Sequence, residues 1–241
     1  VKKVYILSGA GISQESGIPV FRGEEGLWQN YDIQKVCSLK GWEEDRDYVK
    51  RFYDERRVEL KNYKPNRAHK IFAKLESEFP NQIYHLTQNV DDLLEHAGCK
   101  KIIHLHGTLT HLRCQKCQNI FYIGYRSQKS DEKCSKCDSK DVRHNVVMFG
   151  EVAPNYRYLY TLSKECDLFV AIGTSGKVID IVDLSKEFKK TVLINPNREE
   201  YVTIFGSNDR FIDTYFDIFI QKSAVEAADE LYELIKEYLL N

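Results

Sequence analysis

Four cysteines in this chain form two pairs of identical spacing, Cys114-x₂-Cys117 and, after sixteen residues, Cys134-x₂-Cys137. Two intervening residues let one tight turn aim both thiolates at a single point. Two such turns supply four soft ligands in a tetrahedron, which suits Zn²⁺. With every ligand position filled by protein, none is left for water, so the expected ion is structural. The stretch between the pairs is rich in Lys, Ser, Gln and Asp. It cannot pack a core of its own, and metal binding worth roughly 10–16 kcal/mol would hold it instead. Accidental cysteines or a redox pair are the alternatives. A second string with chemical potential is Ser8-Gly9-Ala10-Gly11-Ile12-Ser13, directly after the apolar run Val4–Leu7. Glycines just after a first strand allow a tight turn and let backbone N–H groups approach a pyrophosphate at a helix start. The usual dinucleotide fingerprint wants a third glycine, but Gln14 stands there. It also wants an acidic residue closing a second strand about 20 residues on, where Phe21–Trp28 reads as a loop. The string therefore suits a dinucleotide but fits an ordinary hydride-transfer dehydrogenase poorly. A plain strand-to-helix turn is the alternative.

The elements that must position these groups follow from the apolar pattern. Short β-branched or aromatic runs predict buried strands at Val4–Leu7, Ile83–Leu86, Ile102–His104, Val146–Phe149, Leu168–Ile172, Val192–Ile194 and Asp217–Ile220. Helical periodicity predicts helices over Asp47–Lys61, Ala68–Phe79, Val90–His96, Asn155–Lys164, Ile179–Phe188 and Val225–Leu239. Strands alternating with helices imply an α/β fold, a parallel sheet covered on both faces. Two segments break the rhythm and read as insertions: Gly23–Pro65, charged and mostly helical, and His111–Arg143, which carries the paired cysteines.

Composition narrows the class. The chain has 241 residues, 42% hydrophobic and 29% charged, the profile of a folded globular protein of one to two domains. Lys plus Arg is 35 against 36 for Asp plus Glu, so a broad polyanion-binding surface, and with it a nucleic-acid partner, is not expected. Between His111 and Asn145 eight basic residues face four acidic ones; that mild excess, with sparse aromatics, reads as a solvated face. No apolar run approaches the ~20 residues that span a bilayer. Seven cysteines, without a small secreted frame, argue against a disulfide scaffold. No membrane partner is expected, and the expected setting is cytoplasmic.

Past the glycine string the chain continues Glu15-Ser16-Gly17-Ile18-Pro19-Val20-Phe21-Arg22-Gly23. Read as one block, GAGISQESGIPVFRG closely resembles the signature of the sirtuins, NAD-dependent protein-lysine deacylases. Further blocks follow in that family's order: Thr87-Gln88-Asn89-Val90-Asp91, His104-Leu105-His106-Gly107, the two cysteine pairs, Val147-Met148-Phe149-Gly150-Glu151 and Gly173-Thr174-Ser175. The resemblance covers essentially the whole chain. It implies a Rossmann-like NAD-binding domain from residues 1–30, 66–110 and 144–241. A small domain would comprise a helical insertion, 31–65, and a zinc ribbon, 111–143. NAD and acylated lysines in extended peptide segments would meet in the cleft between them.

The resemblance also implies roles. Nicotinamide leaves the ribose C1′, the acyl-lysine oxygen attacks there to give an alkylamidate, and a general base then frees a ribose hydroxyl. His106 matches that base, and an imidazole suits the task because its ordinary pKa lies near working pH. His104, two residues back, is expected to be structural. Asn89 and Asp91 match the nicotinamide pocket, Gln88 the ribose. Capping of the helix at Val90–His96 is a compatible second role for Asn89 or Asp91. Gly9, Ala10, Gly11 and Ser13 match the phosphate loop, and Phe21, Arg22 and Trp28 a loop ordered over NAD. Gly173, Thr174 and Ser175 match phosphate contacts, Asn195 and Asn197 the adenine ribose, and Ala224 an adenine contact, with a core alanine as its alternative. Val147, Phe149, Gly150 and Glu151 match the substrate peptide segment. After Gly173-Thr174-Ser175 the family commonly has Val-x-Pro-Ala, whereas here Val178 precedes Ile179-Asp180-Ile181.

Tyr53 and Arg56 are spaced i, i+3 and share a helix face. This Tyr-x-x-Arg pair matches the sirtuin subclass that accepts succinyl- and malonyl-lysine. An Arg fork can hold a carboxylate bidentately, with a Tyr hydroxyl as third donor. Pairing of Arg56 with Asp54 or Glu59 is the alternative. Cys37 falls where that subclass carries a small Ala, so activity on both acetyl- and succinyl-lysine is expected. Transfer of ADP-ribose to protein, which uses the same electrophile, and a nucleic-acid-binding zinc protein are the competing functions.

Overall fold

Apolar residues fill both sides of the first strand, β1 (Val4–Ser8), and that fixes its place at the centre of a sheet. The computed structural model describes residues 1–19, 31–203 and 206–241. The expected NAD-loop residues Phe21, Arg22 and Trp28 lie outside them. The other strands are β2 (Ile83–Thr87), β3 (Ile102–His104), β4 (Gly107–Cys114), β5 (Ile120–Tyr122), β6 (Val142–Val146), β7 (Leu168–Ile172), β8 (Lys190–Ile194), β9 (Glu200–Thr203), β10 (Gly206–Phe211) and β11 (Ile218–Ile220). Five of them join β1 in one parallel sheet, in the order β11-β8-β7-β1-β2-β3. The strand order reverses next to β1, so the crevice at the carboxyl ends of β1 and β7 is the natural ligand site of such a sheet.

Helices cover both faces. Those described are α1 (Gly11–Gln14), α2 (Ile33–Val36), α3 (Leu39–Glu44), α4 (Arg46–Leu60), α5 (Arg67–Glu78), α6 (Leu93–Ala97), α7 (Arg157–Ser163), α8 (Ile181–Ser185) and α9 (Ala228–Leu240). Val4 and Ile6 pack with Phe72 and Leu75 of α5 and Leu231 and Ile235 of α9. The alternate residues Tyr5 and Leu7 pack with Leu159 of α7 and Val182 of α8 on the other face. Period-2 alternation thus feeds two cores at once. α5 begins in a capping box: Asn66 accepts from the His69 backbone, and the His69 ring accepts from the Asn66 N–H.

A three-stranded antiparallel sheet, β5-β4-β6, carries the cysteines. α2, α3 and α4 pack on it through Val36, Trp42, Phe52, Tyr53, Leu109, Val146 and Met148. Arg57 is fully buried there and donates to the Leu109 carbonyl at the β4 end and to Asp54. Several boundaries shift: the helices expected from Val90 and Val225 start at Leu93 and Ala228, and two further shifts have a local cause. The strand expected at Val146–Phe149 lies at Val142–Val146, because Arg143 and His144 are buried by pairing with β4 and mask its apolar signature. The helix expected from Ile179 starts at Ile181, where Asp180 accepts from the Val182 and Asp183 N–H groups and caps it. Asp180, the cap, lies within the stretch that departs from Val-x-Pro-Ala.

Candidate functional site

Two loops meet above β1 and β7 so closely that only glycine fits. Gly11 N–H donates to the Gly173 carbonyl at 2.9 Å. A Cβ on Gly11 would lie 2.7 Å from the Gly173 Cα, and Gly173 itself has φ +62°. The Gly9–Gly11 turn and the Gly173–Ser175 loop are thus one surface. Gln88 Nε2 donates to Thr174 Oγ1 at 2.9 Å, and Asn195 Nδ2 approaches the Thr174 carbonyl at 3.3 Å, which draws the ends of β2 and β8 to the same rim. Asn197 is exposed two residues further on. Ala224 is 4% exposed in the core beneath α9.

Ser13 is the hub of a buried polar cluster. Its hydroxyl donates to Asp91 Oδ2 at 3.0 Å and accepts from Asn89 Nδ2 at 3.1 Å. His69 Nε2 stands 3.3 Å away. Burial raises the Asp91 carboxyl, against the Leu93 N–H and Ser13 hydroxyl that favour its charge. Asp91 Oδ1 accepts from Leu93 N–H at 3.1 Å, a local turn just ahead of α6; the N-cap itself is Asp92, which makes no side-chain cap hydrogen bond, so the capping anticipated for Asp91 is not seen. Asn89 does not cap; its own N–H donates to Thr87 Oγ1 at 3.1 Å.

The two histidines of the His104-Leu105-His106 string part company. His104 bridges the Asn89 carbonyl, at 2.9 Å, and Glu95, at 2.7 Å. Burial pulls its pKa down, but the Glu95 hydrogen bond and charge win and raise it. Among the described residues His106 meets no carboxylate. Nδ1 lies 2.9 Å from the Gln88 carbonyl and Nε2 2.8 Å from the Tyr156 hydroxyl. Burial lowers its pKa, with the Gln88 carbonyl opposing, so the ring is neutral near neutral pH and able to accept a proton.

One cavity joins Ala10, Ser13, Asn89 and Asp91 to Tyr53 and Arg56. Arg56 Nη1 donates to the Phe52 carbonyl at 2.7 Å, and the guanidinium lies over the Phe52 ring, 3.5 Å from its centroid. Among the described residues its buried Nε has no partner. Asp54 pairs with Arg57 instead, and the nearest carboxylate to Arg56 is Glu55 at 3.9 Å. The Tyr53 hydroxyl donates to Cys37 Sγ at 3.1 Å, and the Tyr53 ring stacks on His144. Burial pushes the Cys37 thiol up to about 11. Beside this wall runs the segment Val147–Glu151. Val147 N–H donates to the His106 carbonyl at 2.9 Å, and Phe149 pairs through its backbone with Cys37 and Leu39. Phe149 and Gly150 are exposed. Glu151 is occupied within the chain, accepting from Arg113 at 2.8 Å, from the Met148 N–H at 2.8 Å and from Arg143.

Cys114, Cys117, Cys134 and Cys137 converge, with all four sulfurs within 4.8 Å of one another. The 114–137 and 117–134 sulfurs are 3.7 and 3.6 Å apart. Four thiolates about 2.3 Å from one tetrahedral centre would be about 3.8 Å apart, so the set can hold a metal ion. The two turns repeat one geometry: Gln118 and Asp138 both have positive φ, 58° and 55°. Their N–H groups return to the Cys114 and Cys134 carbonyls. The Cys117 N–H lowers the pKa of the Cys114 thiol.

Comparison with known proteins adds a family to this geometry. The Sir2 family model matches residues 9–180. This chain belongs to the Sir2 family. An NAD-dependent protein deacylase of Campylobacter jejuni strain RM1221 is 43% identical over 239 residues, covering 99% of this chain and 98% of the relative. The sirtuin fold here matches a crystal structure of a Sir2 homologue in complex with NAD, with a TM-score of 0.82 and 32% identity over 99% of this chain and 91% of that one. It also matches a Sir2 variant with a deacetylated peptide and 3′-O-acetyl-ADP-ribose, with a TM-score of 0.77 and 30% identity over 96% and 92% of the two chains. Sequence reasoning passed over Tyr156 and His69 in this sirtuin. No spacing marks either one, since Tyr156 reaches His106 across fifty positions and His69 reaches Ser13 across fifty-six.

Proposed function

We propose that this sirtuin removes acyl groups from protein lysine side chains with NAD as co-substrate, releasing nicotinamide and O-acyl-ADP-ribose. The observation that carries the reading is the single cavity that runs from Ala10, Ser13, Asn89 and Asp91 to Tyr53 and Arg56, with His106 held at the neighbouring rim by Gln88. Bound NAD supplies an electrophilic ribose carbon with nicotinamide as leaving group. The chain supplies the rest. The Gly9–Gly11 and Gly173–Ser175 surface receives the phosphates, joined by Asn195 and Asn197 for the adenine ribose. Ala224, packed in the core, is the weakest member of that set. Asn89 and Asp91 offer the paired donor and acceptor that a carboxamide requires. His106 accepts the ribose proton at Nε2. An extended peptide would lie along the Val147–Gly150 segment, where Phe149 and Gly150 are exposed, with Glu151 ordering the segment from behind. Residues 31–65 and 111–143 would form the small domain, and the remainder the large one.

For the four cysteines the proposed ion is a single structural Zn²⁺, since soft thiolates in a closed tetrahedral set select it. A reducing, cytoplasmic setting goes with it, because the thiols must stay reduced to bind. Acid acyl groups, succinyl and malonyl, are proposed as substrates beside acetyl. The unpartnered Nε of Arg56 supports this. The Tyr53 hydroxyl is tied to Cys37, which weakens the third contact to a carboxylate and keeps acetyl-lysine competitive.

The deciding experiment incubates the protein with NAD and acetyl- or succinyl-lysine peptides and follows products by mass. Free nicotinamide, deacylated peptide and O-acyl-ADP-ribose in equal amounts are expected. Nicotinamide release with mass gain on protein would instead assign ADP-ribosyl transfer, and no release at all would remove the catalytic reading.

A further inference from the structure

Two consecutive residues turn back from the Val147–Glu151 segment onto the strand end that carries His106. Asn155 Nδ2 donates to the His104 carbonyl at 2.8 Å, and the Tyr156 hydroxyl meets His106 Nε2 at 2.8 Å. The turn that bears them, Pro154–Tyr156, is closed by Tyr156 N–H to the Ala153 carbonyl at 3.1 Å. The Tyr156 ring packs against the cluster that contains Leu105 and Leu159. At the other ring nitrogen stands the Gln88 carbonyl, which can only accept, so Nδ1 carries the proton. Nε2 then holds the one in-plane lone pair of the neutral ring, and the Tyr156 hydroxyl donates into it. Burial keeps the Tyr156 phenol protonated, hence a donor. A base takes a proton only through its lone pair, and this one is engaged.

We propose that Tyr156 is a positioning residue for His106: its phenol fixes the ring with Nε2 as the accepting atom and occupies that atom until a ribose hydroxyl of NAD displaces it. The inference rests on His106 being the base. The exchange replaces one neutral O–H···N hydrogen bond by another, so the placeholder guards the lone pair at small cost. A relay is the competing use of the same contact. There the hydroxyl O–H would break as Tyr156 Oη gains the proton, and the phenol proton would pass to Nε2.

Tyr156→Phe keeps the ring packing and removes only the hydroxyl. Calorimetric titration of the peptide-free protein with NAD should show binding about three- to tenfold tighter, because a competing hydrogen bond is gone. NMR titration of the His106 ring in the ligand-free variant should show a higher midpoint, since the donor that favoured the neutral ring is lost. Either readout unchanged overturns the proposal. Unchanged NAD affinity with turnover down a hundredfold or more would assign the relay instead. A failure of the base assignment is separately visible, as wild-type turnover in His106→Ala, and does not touch the two binding and titration readouts.

Discussion

The crevice at the sheet edge and the cysteine module are held by opposite means. The crevice gathers residues from the ends of β1, β2, β7 and β8, far apart in sequence, and two apolar cores hold those strands in register. The module gathers its ligands within two short turns of repeated geometry, and its apolar cluster is a handful of residues, several of them the cysteines themselves. Precision in the first comes from long-range packing; in the second it comes from local spacing, which brings four thiols to where one metal ion can be held. Arg113 links the two, since it neighbours Cys114 and its guanidinium holds Glu151 beside the peptide segment.

The largest test removes the metal site proposed for the module. Cys134→Ser should release the metal, with roughly 10–16 kcal/mol of binding free energy at stake, and unfold the module while the parallel sheet persists. Metal analysis should give about one zinc per wild-type chain and none in the variant. Retained zinc, or a metal-free protein with full activity, would break the contrast. Next, His106→Ala should lower turnover by about 10²–10⁴-fold with zinc content and melting behaviour unchanged. Wild-type turnover in that folded variant would remove the base from the crevice.

Arg56→Met should cost the succinyl substrate on the order of 2–4 kcal/mol in kcat/KM and leave acetyl activity nearly intact. Equal losses for both substrates would show that Arg56 does not read the acyl carboxylate. Acid should separate the regions again. Burial lowers His69 to about 4 and His85 to about 3. Their folded pKa values lie below the ordinary unfolded value near 6.5, so the unfolded chain binds more protons as pH falls below it. The stability they contribute is complete above pH ~6.5 and is lost as pH falls toward about 4 for His69 and about 3 for His85, at up to about 1.4 kcal/mol per pH unit for each. Denaturant midpoints of the metal-bound protein should fall across that window; a flat profile would mean that both rings already reach solvent. The smallest effect belongs to Cys37→Ala. Freeing the Tyr53 hydroxyl should raise succinyl relative to acetyl activity by a few-fold, the worth of one neutral hydrogen bond, as measured by paired kcat/KM values.

What the sequence determined by itself was whatever depends on neighbours along the chain. The cysteine spacing fixes a ligand set because two residues can only make one turn. The apolar runs fix a parallel sheet because strands buried on both faces admit no polar alternation. The glycines at 9 and 11 mark a close approach. What it could not determine was which distant group each side chain would meet. Nothing near Tyr53 in the sequence says that its hydroxyl donates to Cys37, or that Arg56 keeps a nitrogen without a partner among the described residues while its neighbour Arg57 is buried on Leu109 and Asp54. The strand at Val142–Val146 hid because its buried residues are Arg143 and His144, whose burial depends on partners in β4 and Glu151. His104 and His106 differ by two positions, yet one faces Glu95 and the other Tyr156. Most of these pairings join residues distant in the sequence, and only the packed chain brings their two halves to about 3 Å.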